Sequence, residues 1–261
     1  MAKGITYGGV GDAIHNFDIE SSYGLLESFA LVYEYSGDKE WLSLAEDMAN
    51  QFATWVINYD YAFPEGTLFG KLSMKTCGTV FANTQNKHLA PGICKHSGIA
   101  LLRIFRATGK GFYINLLNDI VRAIPQYMSH PKYPIPGMQD GWISERVNST
   151  DWWEPIGEIF CGSTWSKTSC MLSYAEIPGI YAVPDKGLVV VNDHLEAKMV
   201  KTDSGKLCIE ITNKTEFDST TSIYVETSGE LKKPLGENIL LNAERLTIKS
   251  GEKREFVPTT L

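Results

Sequence analysis

The sequence predicts a two-domain chain, in which helical hairpins forming an incomplete (α/α) toroid are followed by a small antiparallel β-sandwich. Three observations carry this. A hairpin motif returns with Gly109 standing 72 residues after Gly37, a third apolar helical stretch lacks a following partner, and helical spacing gives way to short alternating runs near Pro178. The expected boundaries are 1–177 for the toroid portion and 178–261 for the sandwich. With 261 residues and 43% hydrophobic content, the chain can fill more than one core, and its composition excludes a disordered polymer.

The segment from Asp18 to Ser36 is apolar around much of its circumference, through Ile19, Tyr23, Leu25, Leu26, Phe29, Ala30, Val32 and Tyr33, as expected of an inner helix enclosed by others. Ser36-Gly37-Asp38 makes a turn, Gly ending one helix and Asp capping the next. The outer helix then carries Trp41, Leu44, Ala45, Met48, Phe52, Trp55 and Val56 on one face and Glu46, Asp47, Asn50 and Thr54 on the other. The second copy has an inner helix from about Pro91 to Ala107, the turn Thr108-Gly109-Lys110, and an outer helix bearing Tyr113, Leu116, Leu117, Ile120, Val121 and Ile124. A third inner helix is expected over about Gly157 to Glu176, ending at Ile177-Pro178-Gly179. Runs at 188–191, 207–212, 222–227, 245–248 and 255–257, separated by Gly, Asn, Asp and Ser, then predict strands. Leu207, Ile209 and Ile211 form one buried face, and Ile223 and Val225 another.

The net charge of -7, with Lys and Arg scattered, argues against nucleic acid. No apolar run is long enough to cross a bilayer, so no membrane partner is expected. No secretory signal is visible, and the opening directly into a helical repeat suggests a late start in a longer protein, so localisation stays open. Five cysteines without CxxC spacing, and no histidine pair at ligand spacing, give no metal site, and no cofactor is expected. The sequons at Asn148 and Asn213 are too short to carry weight.

In a ring of hairpins the connections leading into inner helices converge on one mouth. Three are long: Gly8 to Glu20, with Asp12, His15 and Asp18; Asn58 to Pro91, with Asn83, Gln85, Asn86 and His88; and Ser129 to Gly157. The third holds Trp142, Trp152 and Trp153 among Asp140, Glu145, Arg146, Asp151 and Glu154, with Glu158 just beyond. Indoles stack on the CH faces of sugars while acids and amides bind the hydroxyl rim, so the expected partner is carbohydrate. Asp140 and Glu145 are the leading catalytic pair, because glycoside hydrolysis needs one protonated and one ionised carboxyl. Glu154, Glu158 and Glu20 are substitutes. His88, Gln85, Asn86, Trp142, Arg146, Trp152, Trp153 and Glu154 are the expected substrate contacts, with Arg146 suited to a uronate carboxylate. The competing reading has the tryptophans packing the loop and the acids capping a helix or facing water.

The stretch Tyr35 to Leu42, echoed by Ala107-Thr108-Gly109, resembles the six-hairpin glycosidase superfamily over Asp18 to Ala175. The blocks Asn83 to Pro91 and Gly141 to Arg146 are similar to segments of bacterial glycoside hydrolase-like proteins of that superfamily. The resemblance implies an (α/α) toroid, a glycan substrate and a catalytic carboxylate near the inner-helix mouth. A complete toroid has six hairpins and this chain supplies about two and a half; a missing N-terminal portion, a partner chain or a homo-oligomer would close the ring. A toroid followed by a sandwich also resembles polysaccharide lyases, and a non-catalytic glycan-binding fragment or a helical scaffold for protein partners are the remaining alternatives.

Overall fold

The computed structural model describes residues 19–83, 87–151, 154–162, 164–202 and 205–258. Helices come first and strands after them. The chain divides into two compact units, Met1–Phe105 with Lys110–Ser173, and Arg106–Gly109 with Tyr174–Leu261.

In the first unit, α1 (Ile19–Ser36) and α2 (Lys39–Ala53) form a hairpin; α4 (Ile99–Thr108), whose residues from Arg106 on belong to the second unit, is followed across the Gly109 turn by α5 (Gly111–Ala123). A short α3 (Leu68–Lys71) lies between α2 and α4 in the chain. Gly37 and Gly109 have the same left-handed φ of 70°, so the two turns have matching backbone at the residues 72 apart. Asp38 caps α2 by accepting a hydrogen bond from the Glu40 amide at 2.9 Å. The predicted face of α2 turns inward at Ala45, Met48 and Phe52. Side chains link these segments: His96, in the loop before α4, lies 3.1 Å from Glu27, Arg103 pairs with Glu34, and the Tyr113 hydroxyl donates to Glu46 at 2.8 Å.

Two inner helices start later than the apolar spacing predicts. The second begins at Ile99 rather than Pro91, because Gly92, Cys94 and Gly98 all have positive φ. That left-handed backbone cannot propagate a right-handed helix. It makes a tight loop beneath α6 (Trp165–Glu176), where a Cβ at Gly92 would sit 2.3 Å from Ser169 Oγ. Ser169 holds this loop at both ends, accepting from the Ile93 amide and donating to the His96 carbonyl, each at 3.0 Å. The third inner helix begins at Trp165 rather than Gly157, which has φ +73°.

Strands β1 (Val80–Phe81) and β2 (Leu89–Ala90) make a small antiparallel ladder in the first unit. The second unit holds β3 (Ile180–Val183), β4 (Leu188–Val191), β5 (Glu196–Lys201), β6 (Leu207–Thr212), β7 (Ser219–Val225), β8 (Glu244–Ile248) and β9 (Lys253–Phe256). These form a four-stranded sheet, β4-β3-β7-β8, and a three-stranded sheet, β5-β6-β9. The expectation of purely antiparallel sheets fails at one pair, since β3 and β7 run parallel in the register Ile180↔Ile223. The chain visits the other sheet through β5 and β6 before β7 returns from the same end as β3. Both sheets feed one core, with Ile180, Ile209, Ile211, Ile223 and Ile248 at most 1% exposed. Glu210, on the opposite face of β6, pairs instead with Lys198 and Lys253.

Candidate functional site

Backbone hydrogen bonds bring the long connections of the first unit together. The amide of Ile19, at the start of α1, donates to Ala82 O at 3.2 Å, and the Ala82 amide donates to His88 O at 3.1 Å. Leu89 and Val147 then exchange both of their backbone hydrogen bonds, at 3.2 and 2.8 Å, joining the second connection to the third. Thr150 adds a hydroxyl bond to Lys87 O at 2.6 Å.

Glu145 sits within this junction. Its neighbours Ile143 and Val147 anchor the segment, packing in one apolar cluster with Phe69, Leu89, Ile124 and Tyr127. The Glu145 amide donates to Phe160 O at 2.7 Å, and its carbonyl accepts from Ser166 Oγ, in the first turn of α6, at 3.1 Å. The backbone is therefore held from two directions. The side chain differs: its Oε2 is buried and has no hydrogen-bond partner among the described residues. A buried acceptor left unmatched costs on the order of 1–3 kcal/mol, so such an atom is a position where a donor from a ligand is worth most.

Arg146 is engaged through Nη1, while its buried Nε has no hydrogen-bond partner among the described residues. Its Nη1 donates to both carboxylate oxygens of Glu154, at 2.9 and 3.2 Å, and its guanidinium lies 4.0 Å from the centroid of the Phe160 ring. Trp142 is 38% exposed, with the Lys167 ammonium 4.4 Å from its ring centroid. A second such pair, Lys95 over Trp165 at 4.7 Å, lies at the start of α6. Cys161, exposed, reaches toward Ile143 O at 3.6 Å. Its thiol is pushed above its usual range, first by burial of the sulfur; Lys167 opposes the shift and Glu145 reinforces it. Cys161 is thus within electrostatic reach of both side chains.

The remaining predicted residues are distributed as follows. Asp140 is exposed in the tight turn closed by the Trp142 amide on Gln139 O at 3.0 Å, with Gly141 at φ +76°. His88 is buried at 7% exposure, as is Asn83 at 8%. Glu20 lies in the first turn of α1 within hydrogen-bonding reach of the Cys94 thiol, whose ionisation is suppressed first by burial and then by that carboxylate. Asp12, His15, Asp18, Gln85, Asn86, Trp152 and Trp153 fall outside the described residues. The sequon asparagines are structural: Asn148 is 2% exposed and donates to Glu158 O at 2.8 Å, and Asn213 is fully buried and donates to Phe217 O and Ile248 O.

Sequence reasoning missed Phe160, Ser166 and Lys167. They come from the stretch expected to be one uninterrupted helix, and the only available signal was the cation two positions after Trp165. Among the described residues no three His, Cys, Asp or Glu side chains gather as a metal-ligand set, and no helix is long and apolar enough to cross a membrane. No protein-family model and no curated protein sequence matches this chain.

Proposed function

We propose that this chain is a glycoside hydrolase, with a helical unit that is part of an (α/α) toroid and C-terminal sheets that form a β-sandwich. The reading rests on one observation above the others: Glu145 presents a buried, unpartnered carboxylate oxygen where the long connections meet, beside a part-exposed tryptophan. A sugar hydroxyl or a glycosidic oxygen awaiting a proton supplies the missing partner, and the indole supplies a stacking surface. Glu145 takes the proton-transfer role, and Asp140, exposed on the adjoining turn, is the carboxylate that acts on water. Arg146 holds Glu154 in place through its Nη1. The sheet unit has a supporting role, since the outward face of its three-stranded sheet carries the cross-strand Lys198–Glu210–Lys253 ion pairs and no aromatic platform.

The test is reducing-end release from a panel of neutral and acidic oligosaccharides by the full chain and by Glu145→Gln. The amide variant removes the proton while keeping the shape, and is expected to lose about 10²–10⁴-fold in turnover with unchanged circular dichroism. Wild-type turnover in that variant, or no cleavage of any glycan by the parent chain, would falsify the proposal. Ultraviolet absorbance of an unsaturated uronate among the products would replace hydrolysis by elimination.

A further inference from the structure

Lys167 follows Ser166, which bonds the Glu145 carbonyl, and Arg146 follows Glu145 in the chain; the two cations are held differently. Arg146 commits its Nη1 to both oxygens of Glu154 and stacks on Phe160, and its Nε, though without a hydrogen-bond partner among the described residues, is buried rather than presented at a surface. Among the described residues Lys167 makes no ion pair, and its ammonium lies over the π face of Trp142. A cation–π contact positions an ammonium while leaving its N–H donors unsatisfied by any anion. The same indole remains 38% exposed, enough for a sugar ring to reach it. Ser166 ties this turn of α6 to the Glu145 carbonyl, so the lysine and the unpartnered carboxylate belong to one braced assembly.

The geometry points to Lys167 as a specificity-determining residue that receives an anionic substituent, a carboxylate or a sulfate, on a sugar stacked against Trp142. This rests on the glycan reading of the Glu145 site and names the class of glycan. An ammonium already in place gives a charge-assisted hydrogen bond to the anion, whereas a neutral sugar gains only the stacking. The uronate grip expected of Arg146 thereby passes to a residue thirteen positions before Ile180, on a different element of the same unit.

Calorimetric binding of four disaccharides that differ at one position provides the test: glucosyl-glucose, its glucuronyl counterpart, the methyl ester of that acid, and the 6-sulfated glucoside. The expected result is a preference of about tenfold or more for an anionic form over both neutral forms, weakened by added salt. Lys167→Gln should abolish the preference while leaving neutral-sugar affinity within about twofold, and Lys167→Arg should restore it. The carboxylated and sulfated arms show which anion fits. Equal affinity for charged and neutral sugars, or a preference that survives Lys167→Gln, overturns the inference. The outcomes separate from those of the hydrolase proposal: anion-selective binding without cleavage overturns hydrolysis alone, while cleavage with no anion preference overturns only the role of Lys167. Unchanged melting temperatures of the variants exclude misfolding as the cause.

Discussion

Arg106 and Glu226 form a two-pronged ion pair with both side chains 3% exposed, Nε donating to Oε1 and Nη2 to Oε2 at 2.7 Å each. Nη1 also donates to Lys233 O at 3.2 Å, Nη2 to Glu230 O at 3.0 Å, and the Tyr181 hydroxyl to Glu226. Every nitrogen of the guanidinium thus has an acceptor within the second unit.

Breaking this pair from one side leaves a buried charge uncompensated, which costs about 3–5 kcal/mol. Arg106→Met and Glu226→Gln are each expected to lower the stability of the unit by that order. The double variant Arg106→Met with Glu226→Gln removes both charges and should be less destabilised than the sum of the singles. Urea unfolding followed by far-ultraviolet circular dichroism in the strand region checks this; strict additivity would show that the two side chains act separately.

Tyr127 and Tyr181 are fully buried, and burial pushes both phenols above their usual range, helped by Asp60 for Tyr127 and by Glu226 for Tyr181. In the folded chain they stay protonated, whereas in the unfolded chain they ionise near about pH 10. Their contribution to stability is therefore complete below about pH 10 and declines as pH rises from there toward the folded values. Alkaline titration at the phenolate absorbance should show a late step that coincides with loss of ellipticity. Smooth titration of all twelve tyrosines with the fold intact would count against it.

Two glycines with positive φ should respond differently to a methyl group. Gly37 has φ +70° and open space around its missing Cβ, so Gly37→Ala meets only backbone strain, ~1–2 kcal/mol. Gly78 has φ +86° and a Cβ there would lie 2.0 Å from the Asp119 carbonyl oxygen, a backbone atom that cannot rotate away. Gly78→Ala adds overpacking to the same strain and should cost at least about 3 kcal/mol. Thermal melts of the two variants compare them directly, and equal losses would mean the Asp119 contact yields easily.

Much of the fold could be read from local patterns. The turns at Gly37 and Gly109, the inward face of α2, and strands β4 and β6 stand where spacing and turn residues put them. Strand β5, Glu-Ala-Lys-Met-Val-Lys, escaped because its charged residues alternate on a half-solvated face without an apolar run to mark them. Strand β3, buried at all four positions, offers no alternation at all. The candidate site was legible in part: the Trp142 to Arg146 segment stands out by composition, while the side chains that meet it come from Phe160 and the start of α6.

The sequence by itself determined the hairpin repeat, the change from helix to sheet, and the segment around Glu145, because each is a matter of spacing and composition within a few turns of chain. Tertiary structure alone decided that Pro91 to Gly98 is a loop, that β7 runs parallel to β3, that Arg146 is committed to Glu154, and that Lys167 stands over Trp142. The physical reason is common to all four. Periodicity reports which residues leave water, but which partner each one meets depends on how distant segments close upon one another. That closure pairs Arg146 Nη1 with Glu154 and leaves the Glu145 Oε2 without a hydrogen-bond partner among the described residues.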